Sequence, residues 1–172
     1  MISLKGIKVY EGMSEETHCF EANLYVDNKK LGRVSNSGRG GSNNYDFHWK
    51  EEEKLNEWCK NNLPKYKSPF DDEGFYHNLE THIGDLLTNH LEQKDLKKLI
   101  SSSVIVVDDN CSSGEAYRWN FSKYKGTPKT TLLNNIKRVI DKDEEMINPI
   151  ILNSLPFDVA FKTFYKINNQ EK

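Results

Sequence analysis

Between positions 19 and 26 the chain alternates, with Phe20, Ala22, Leu24 and Val26 set against Cys19, Glu21, Asn23 and Tyr25. That period of two predicts a half-buried β-strand. Asp27, Asn28 and Lys29 supply turn chemistry, so residues 31–36 return as the second arm of a hairpin. Upstream, residues 2–11 place Ile7 and Val9 on one face and Lys8 and Tyr10 on the other, a first strand with Gly6 at a bulge. Together these segments predict a three-stranded antiparallel meander, and residues 45–49 predict a short fourth strand.

The period then lengthens. Glu51, Glu52 and Glu53 suit the positive end of a helix dipole, Leu55, Trp58 and Cys59 fall at core spacing, and Leu63-Pro64 stops the helix. Residues 65–74 carry turn residues and charges without periodicity and predict the longest loop. From Tyr76 the stripe Leu79, Ile83, Leu86, Leu87 and Leu91 predicts a helix, and Leu96, Leu99 and Ile100 predict a short one after it. The β-branched run 104–107, ending in Asp108-Asp109, predicts a strand buried on both faces. Tyr117, Trp119 and Phe121 alternate with Arg118 and Asn120, a second strand with all three aromatics on one face and inward. Thr127 then caps a helix that has Pro128 at its first position and Leu132, Leu133, Ile136, Val139 and Ile140 on its apolar face. Residues 150–152 read as a short strand, and Ser154 caps a last helix with Phe157, Ala160, Phe161, Phe164 and Tyr165 inward. The sum is one α+β domain spanning 1–172: an antiparallel sheet of five or six strands with four or five helices packed mostly on one face.

Composition narrows the classes of function. The formal charge of -2, from 24 basic and 26 acidic residues, gives no global footprint for nucleic acid or an anionic membrane, so any such binding needs a local patch. Cys19, Cys59 and Cys111 are odd in number and form no CxxC pair, which predicts reduced thiols and neither a disulfide framework nor a zinc site. The N-terminus alternates, and no run approaches about 18 apolar residues, so a cytoplasmic protein without a membrane span is expected.

The stretch that departs most from an ordinary domain follows the hairpin: Gly38, Arg39, Gly40, Gly41, Ser42 and Asn43. Its composition is that of an anion-binding nest closed by a guanidinium, although it matches neither GxxxxGK[ST] nor GxGxxG. The plainer reading is a loop that needs positive φ at several positions. Ser14-Glu15-Glu16-Thr17, Phe20, Leu24-Tyr25, Lys30, Gly32, Asn36 and Gly38-Arg39-Gly40-Gly41 together resemble a small group of uncharacterised bacterial and phage-borne proteins, with a second echo at Leu152-Asn153-Ser154-Leu155-Pro156. The motifs cover about a quarter of the chain. The resemblance implies a bacterial or phage source and carries no catalytic residue with it.

Other candidates are weighed on spacing. Asp108-Asp109 with Glu115 invites a metal-nuclease reading, but Glu115-Ala116-Tyr117-Arg118 puts the base one residue beyond an ExK pattern, which favours acidic turn residues. His77, His82 and His90 have no i, i+4 pair; Glu80 shares a helix face with His77 and Asp85 with His82, but no second ligand set converges on them, so exposed polar histidines are expected and no metal or cofactor is implied. His18 and Cys19, as neighbours on a strand, face opposite ways and make no nucleophilic pair. Residues 123–129, with three lysines, form a short basic patch. The leading expectation is a non-enzymatic binding protein that contacts a host protein or ribonucleoprotein, for example to inhibit a bacterial defence system. The rivals are a small phosphate-handling or metal-dependent enzyme built on Arg39, the glycine loop and Asp108 or Asp109, and an RNA or single-strand DNA binder using Arg39 and the 123–129 patch.

Overall fold

The computed structural model describes residues 1–68 and 71–166, and the contacts of the chain group into two compact units, Met1–His90 and Leu91–Lys172. The first is built on a four-stranded antiparallel sheet, β1 (Ile2–Val9), β2 (Cys19–Val26), β3 (Lys29–Ser37) and β4 (Asn44–Tyr45), in sequence order. The alternation on β2 holds over its middle: Phe20, Ala22 and Leu24 are buried and Glu21, Asn23 and Tyr25 are half-buried on the other face, whereas at the strand's ends Cys19 is buried and Val26 only half-buried. Asp27 and Asn28, at φ 48 and 65, form the two-residue turn between β2 and β3. Positive φ at both positions is the type I′ geometry that matches strand twist. β1 carries its bulge at Gly6, where the pairing steps from Lys5↔Asn23 to Lys8↔Glu21. On the half-buried face Glu21 gathers Lys8 from β1 at 2.9 Å and Arg33 from β3 at 2.7 Å, and also accepts from the Tyr10 hydroxyl. Those hydrogen bonds, led by that of Lys8, hold the Glu21 carboxyl below the usual range.

α1 (Trp49–Asn62) begins where His48 accepts from the Lys50 amide and ends before Pro64, with Leu55 and Cys59 buried. Residues 65–74, expected as a loop, contain a hairpin of β5 (Tyr66–Ser68) and β6 (Asp71–Phe75), while positions 69 and 70 lie outside the described residues. The cross-strand pairs supply what hydrophobic periodicity does not. α2 (Leu79–Ser102) is one helix of 24 residues where two were expected. No glycine or proline interrupts residues 91–96, so nothing there forces a break. Asn78 and Thr81 cap its start reciprocally: the Thr81 amide donates to Asn78 Oδ1 at 2.8 Å and the Asn78 amide donates to Thr81 Oγ1 at 3.0 Å. Leu79, Ile83 and Leu87 are its buried residues in the first unit.

In the second unit β7 (Ser103–Val107) lies between β8 (Tyr117–Asn120) and β9 (Ile150–Ile151), antiparallel to both. All five residues of β7 are buried, as the continuous β-branched run predicts. Ile105 and Val107 face Leu96 of α2 and Ala160, Phe161 and Phe164 of α4 (Phe157–Phe164), whereas Val104 and Val106 face Leu132, Ile136 and Ile140 of α3 (Lys129–Ile140). Helices therefore cover both faces of this sheet, not mostly one, because strand alternation sends consecutive residues of β7 to opposite sides and both sets are apolar.

The α+β class and four helices stand, but the single sheet of five or six strands does not. Among the described residues there are three antiparallel sheets of four, two and three strands. β7 has both edges taken within its own unit, and β4 and β9 are two residues long, too short to extend a sheet. Tyr117 is exposed and Trp119 and Phe121 are only half-buried: β8 is an edge strand of its sheet, and the chain leaves it at Phe121 for a 3-10 turn, where the Lys129 ammonium lies 4.7 Å over the Phe121 ring. The two expected caps also move inward: Pro128 and Pro156 occupy the N-cap positions of α3 and α4, in place of Thr127 and Ser154.

Ile105 has no exposed surface and sits in the middle of β7. Ile105→Ala is expected to cost about 2–5 kcal/mol and to lower the urea midpoint accordingly. An unchanged midpoint would remove β7 from the core.

Candidate functional site

β3 ends at Ser37, and residues 38–43 carry the chain to β4. Gly38 is buried at φ +84, and a Cβ there would lie 2.4 Å from the Met13 carbonyl oxygen and 2.8 Å from Cys19 Cβ. Only glycine permits that approach. It places the Gly38 carbonyl before three successive amides, those of Glu15 at 2.9 Å, Glu16 at 3.0 Å and Thr17 at 3.3 Å. Three converging N–H groups have the form of an anion nest. Residues 15–17 supply them, not the glycines, and the chain's own carbonyl fills them.

Asn36, buried at the end of β3, braces the rest of the loop. Its Oδ1 accepts from the Gly38 amide at 2.8 Å and from the Thr17 hydroxyl at 2.9 Å, while its Nδ2 donates to the Gly41 carbonyl at 2.8 Å and to Asn43 Oδ1 at 3.2 Å. The Gly40 amide adds a bond to Thr17 Oγ1 at 3.3 Å. The far leg is held by α2, where both Glu80 oxygens accept from the Asn43 amide, at 3.0 and 3.1 Å, and Oε2 accepts from the Tyr45 hydroxyl at 3.0 Å. Burial first, and then the Glu80 charge, push the Tyr45 hydroxyl far above the usual phenol range. A glycine-rich sequence is thus a braced structure.

Behind the loop lies a cavity of about 230 Å³, with Phe20, Ile83 and Leu87 among its apolar lining and Asn36, Asn43 and Glu80 among its polar lining. Gly84 stands in its wall, and a Cβ at that position would meet nothing within 4 Å. The volume falls below the roughly 300–1,000 Å³ of small-molecule pockets and suits a single inserted side chain better than a cofactor. Arg39 points away from this bracing, with its side chain 75% exposed and its only ion-pair partner among the described residues, Glu15 Oε1, at 3.9 Å from Nε. That exceeds hydrogen-bond length. Ser42 is exposed as well.

Of the predicted site residues, the structure therefore gives Gly38, Gly40, Gly41 and Asn43 backbone roles in the loop and leaves Arg39 and Ser42 outward. Glu80, Tyr45 and Thr17 belong to the same constellation and were not singled out as site residues. Glu80 reads in sequence as an ordinary first-turn acid of a helix, and its partner amide is 37 positions away.

The other candidates resolve differently. Asp108 is buried, and its oxygens accept from the Asn110 and Cys111 amides at 3.1 and 3.0 Å, from Asn110 Nδ2 at 3.2 Å and from the Ile147 amide at 3.3 Å. Asp109 accepts from Asn148 Nδ2 at 2.7 Å. The pair staples the turn after β7 to the segment before β9, and no group of three or more His, Cys, Asp or Glu side chains among the described residues could hold a metal ion. Burial raises the Asp108 carboxyl, but hydrogen bonds from Cys111, Ile147 and Asn110 outweigh it and leave the group below the usual range. His77 departs from expectation: it is buried, with Nδ1 against the Pro64 carbonyl and Nε2 3.1 Å from Asp85 Oδ2, which also accepts from the Tyr66 hydroxyl through Oδ1. Burial leads the causes that push the Tyr66 hydroxyl up to about 12. Both His77 nitrogens already have partners, so the ring offers neither a base nor a ligand. All three cysteines are free; Cys19 and Cys59 are buried. Lys123, Lys125 and Lys129 are exposed as expected. No helix among the described residues is long and apolar enough to cross a membrane.

No protein-family model, curated protein sequence or solved structure matches this chain.

Two substitutions check this geometry. Asn36→Ala is expected to cost about 1–3 kcal/mol, the penalty for stranding buried partners, measured by chemical denaturation. Stability equal to wild type would show that Asn36 does not brace the loop. Asp108→Asn is expected to lower the thermal midpoint at pH 7. Because the native carboxyl lies below its unfolded value, the stabilisation is present above the ordinary carboxylate range and is lost as pH falls through the native value. The gap between variant and wild type should therefore close in acid, and a gap independent of pH would contradict the charge-based account.

Proposed function

We propose that the chain is a binding protein that contacts a protein partner through the loop end of its first unit. The observation that carries this reading is the mixed character of that end. Arg39 and Met13, both exposed, lie on two segments clamped together through the Gly38 carbonyl and the Asn36 amide, with the Glu15 carboxylate 3.9 Å from Arg39 and the Glu16 carboxylate against Gly40. Arginine and methionine are enriched at protein interfaces, and a braced loop loses little conformational freedom on binding. The cavity behind the loop suits an anchoring side chain from the partner.

The same carboxylates argue against nucleic acid at this site. In water a carboxylate about 4 Å from a phosphate contributes about 1 kcal/mol of repulsion, and Glu15 already lies 3.9 Å from the Arg39 guanidinium, with the Glu16 carboxylate against Gly40. The exposed lysines of residues 123–129 keep nucleic-acid binding as the second reading. The resemblance to phage-borne proteins directs the search for a partner to bacterial host proteins, among them components of defence systems.

The test is affinity capture from bacterial lysate, with and without nuclease treatment, with wild type and Arg39→Ala in parallel. Arg39→Ala should leave stability within about 0.5 kcal/mol. It should weaken capture of one specific protein by about 2 kcal/mol if Arg39 is a hot spot. Recovery that disappears on nuclease treatment would favour the nucleic-acid reading, and equal recovery by both proteins would remove Arg39 from the interface.

A further inference from the structure

The second unit holds a larger cavity, about 590 Å³, at the end of β7, within the size range of ligand sites. Its walls are the turn after β7, the residues entering β9 and one side of α4. They are tied together: the Gly114 amide donates to the Phe164 carbonyl at 2.9 Å, Ser113 Oγ to the Tyr165 carbonyl at 2.8 Å, and Asn148 Nδ2 to Asp109 at 2.7 Å. Asp108 completes the bracing through the bonds described above. The cavity is preformed.

Two features of its surface are unusual together. Ile150 and Val159 line it while remaining 41% and 42% exposed, and Ile147, whose amide is bonded to Asp108, is 50% exposed beside them. Charge is also segregated here. Residues 91–172 carry 13 basic and 11 acidic side chains, yet eight of the acids are Asp108, Asp109, Glu115 and Asp158 in the lining and Asp141, Asp143, Glu144 and Glu145 in the adjoining turn. The Glu145 carbonyl accepts from Asn110 Nδ2 at 3.1 Å, which joins that turn to the rim. The lysines set among these eight acids are Lys162 and Lys166 in the lining and Lys142 in the turn, with Lys137 and Arg138 in the last turn of α3 next to it. Tyr117 registers the field, its hydroxyl pushed up first by Asp108 and, after burial and Cys111, by Asp143 and Glu145.

We propose that this cavity docks a basic peptide segment of a partner protein, with the aliphatic stem of a lysine or arginine lying along Ile150 and Val159 and its cation among Asp109, Glu115 and Asp158. Long basic side chains bury their stems on apolar surface while the charge stays near water, which is the pairing of surfaces found here. A phosphate-bearing ligand meets the wrong sign, and a bare polyamine leaves the isoleucines and valine unused.

The test is fluorescence anisotropy on the full chain with labelled peptides that alternate lysine with leucine, lysine with serine, or glutamate with leucine, and with spermidine as competitor. Saturable binding of the lysine–leucine peptide is expected, with binding about tenfold weaker for lysine–serine and none for glutamate–leucine. Val159→Ser and Glu115→Lys, both at exposed positions, should each weaken it about tenfold. Arg39→Ala, in the other unit, should leave it unchanged, so this result and that of the loop interface fail independently. Equal affinity for the lysine–serine peptide, displacement by spermidine with no leucine dependence, or indifference to both cavity substitutions would overturn the proposal.

Discussion

A polar side chain taken out of water must find partners, and in this protein that constraint shapes the surface where it is most irregular. Asn36 at the end of β3 and Asp108 after β7 are both buried, and each is satisfied almost wholly by the turn that follows its strand. No buried side-chain nitrogen or oxygen among the described residues lacks a partner. An amide has two donors and a two-lone-pair acceptor, so Asn36 can hold both legs of a loop at once; a carboxylate accepts only, so Asp108 collects backbone N–H groups. Leaving such a group unpaired costs about 1–3 kcal/mol, enough to select one loop conformation over its neighbours.

This gives residue types that look chemical in the sequence a mechanical role in the fold. The glycines after β3 do not wait for an anion, since the convergent amides of Glu15, Glu16 and Thr17 are filled by the Gly38 carbonyl. The acidic pair after β7 spends its lone pairs on amides. His77 is spent likewise, between Pro64 and Asp85. What the bracing leaves outside is Arg39 and Met13 in one unit, and Ile150 and Val159 with four carboxylates and two lysines in the other.

The motif Ser14-Glu15-Glu16-Thr17 with Asn36 and Gly38-Arg39-Gly40-Gly41 acquires a physical meaning from the same contacts. Thr17 and Gly38 meet at Asn36, Glu15 and Glu16 donate their amides to Gly38, and a Cβ at Gly40 would lie 2.1 Å from Glu16 Oε2. The two halves of the motif are one structural device separated in sequence by a hairpin.

Local pattern sufficed wherever a segment's own periodicity decided its burial. The alternation 20–25, the β-branched run 104–107, the Gly6 bulge and the apolar stripes of α1, α3 and α4 could be read from the chain, because side-chain period and hydrophobicity act over a few residues. The exception is Val139, expected on the apolar face of α3 and 59% exposed. Tertiary structure decided the rest. A strand does not encode its neighbour, so one predicted sheet became three among the described residues, and the paired strands Tyr66–Ser68 and Asp71–Phe75 carry no periodic signal. Arg39 could be named from sequence as an exposed candidate. That Glu80 and Thr17 brace its loop could not, since those hydrogen bonds join residues 37 and 23 positions apart and depend on where a helix and a turn are carried by packing.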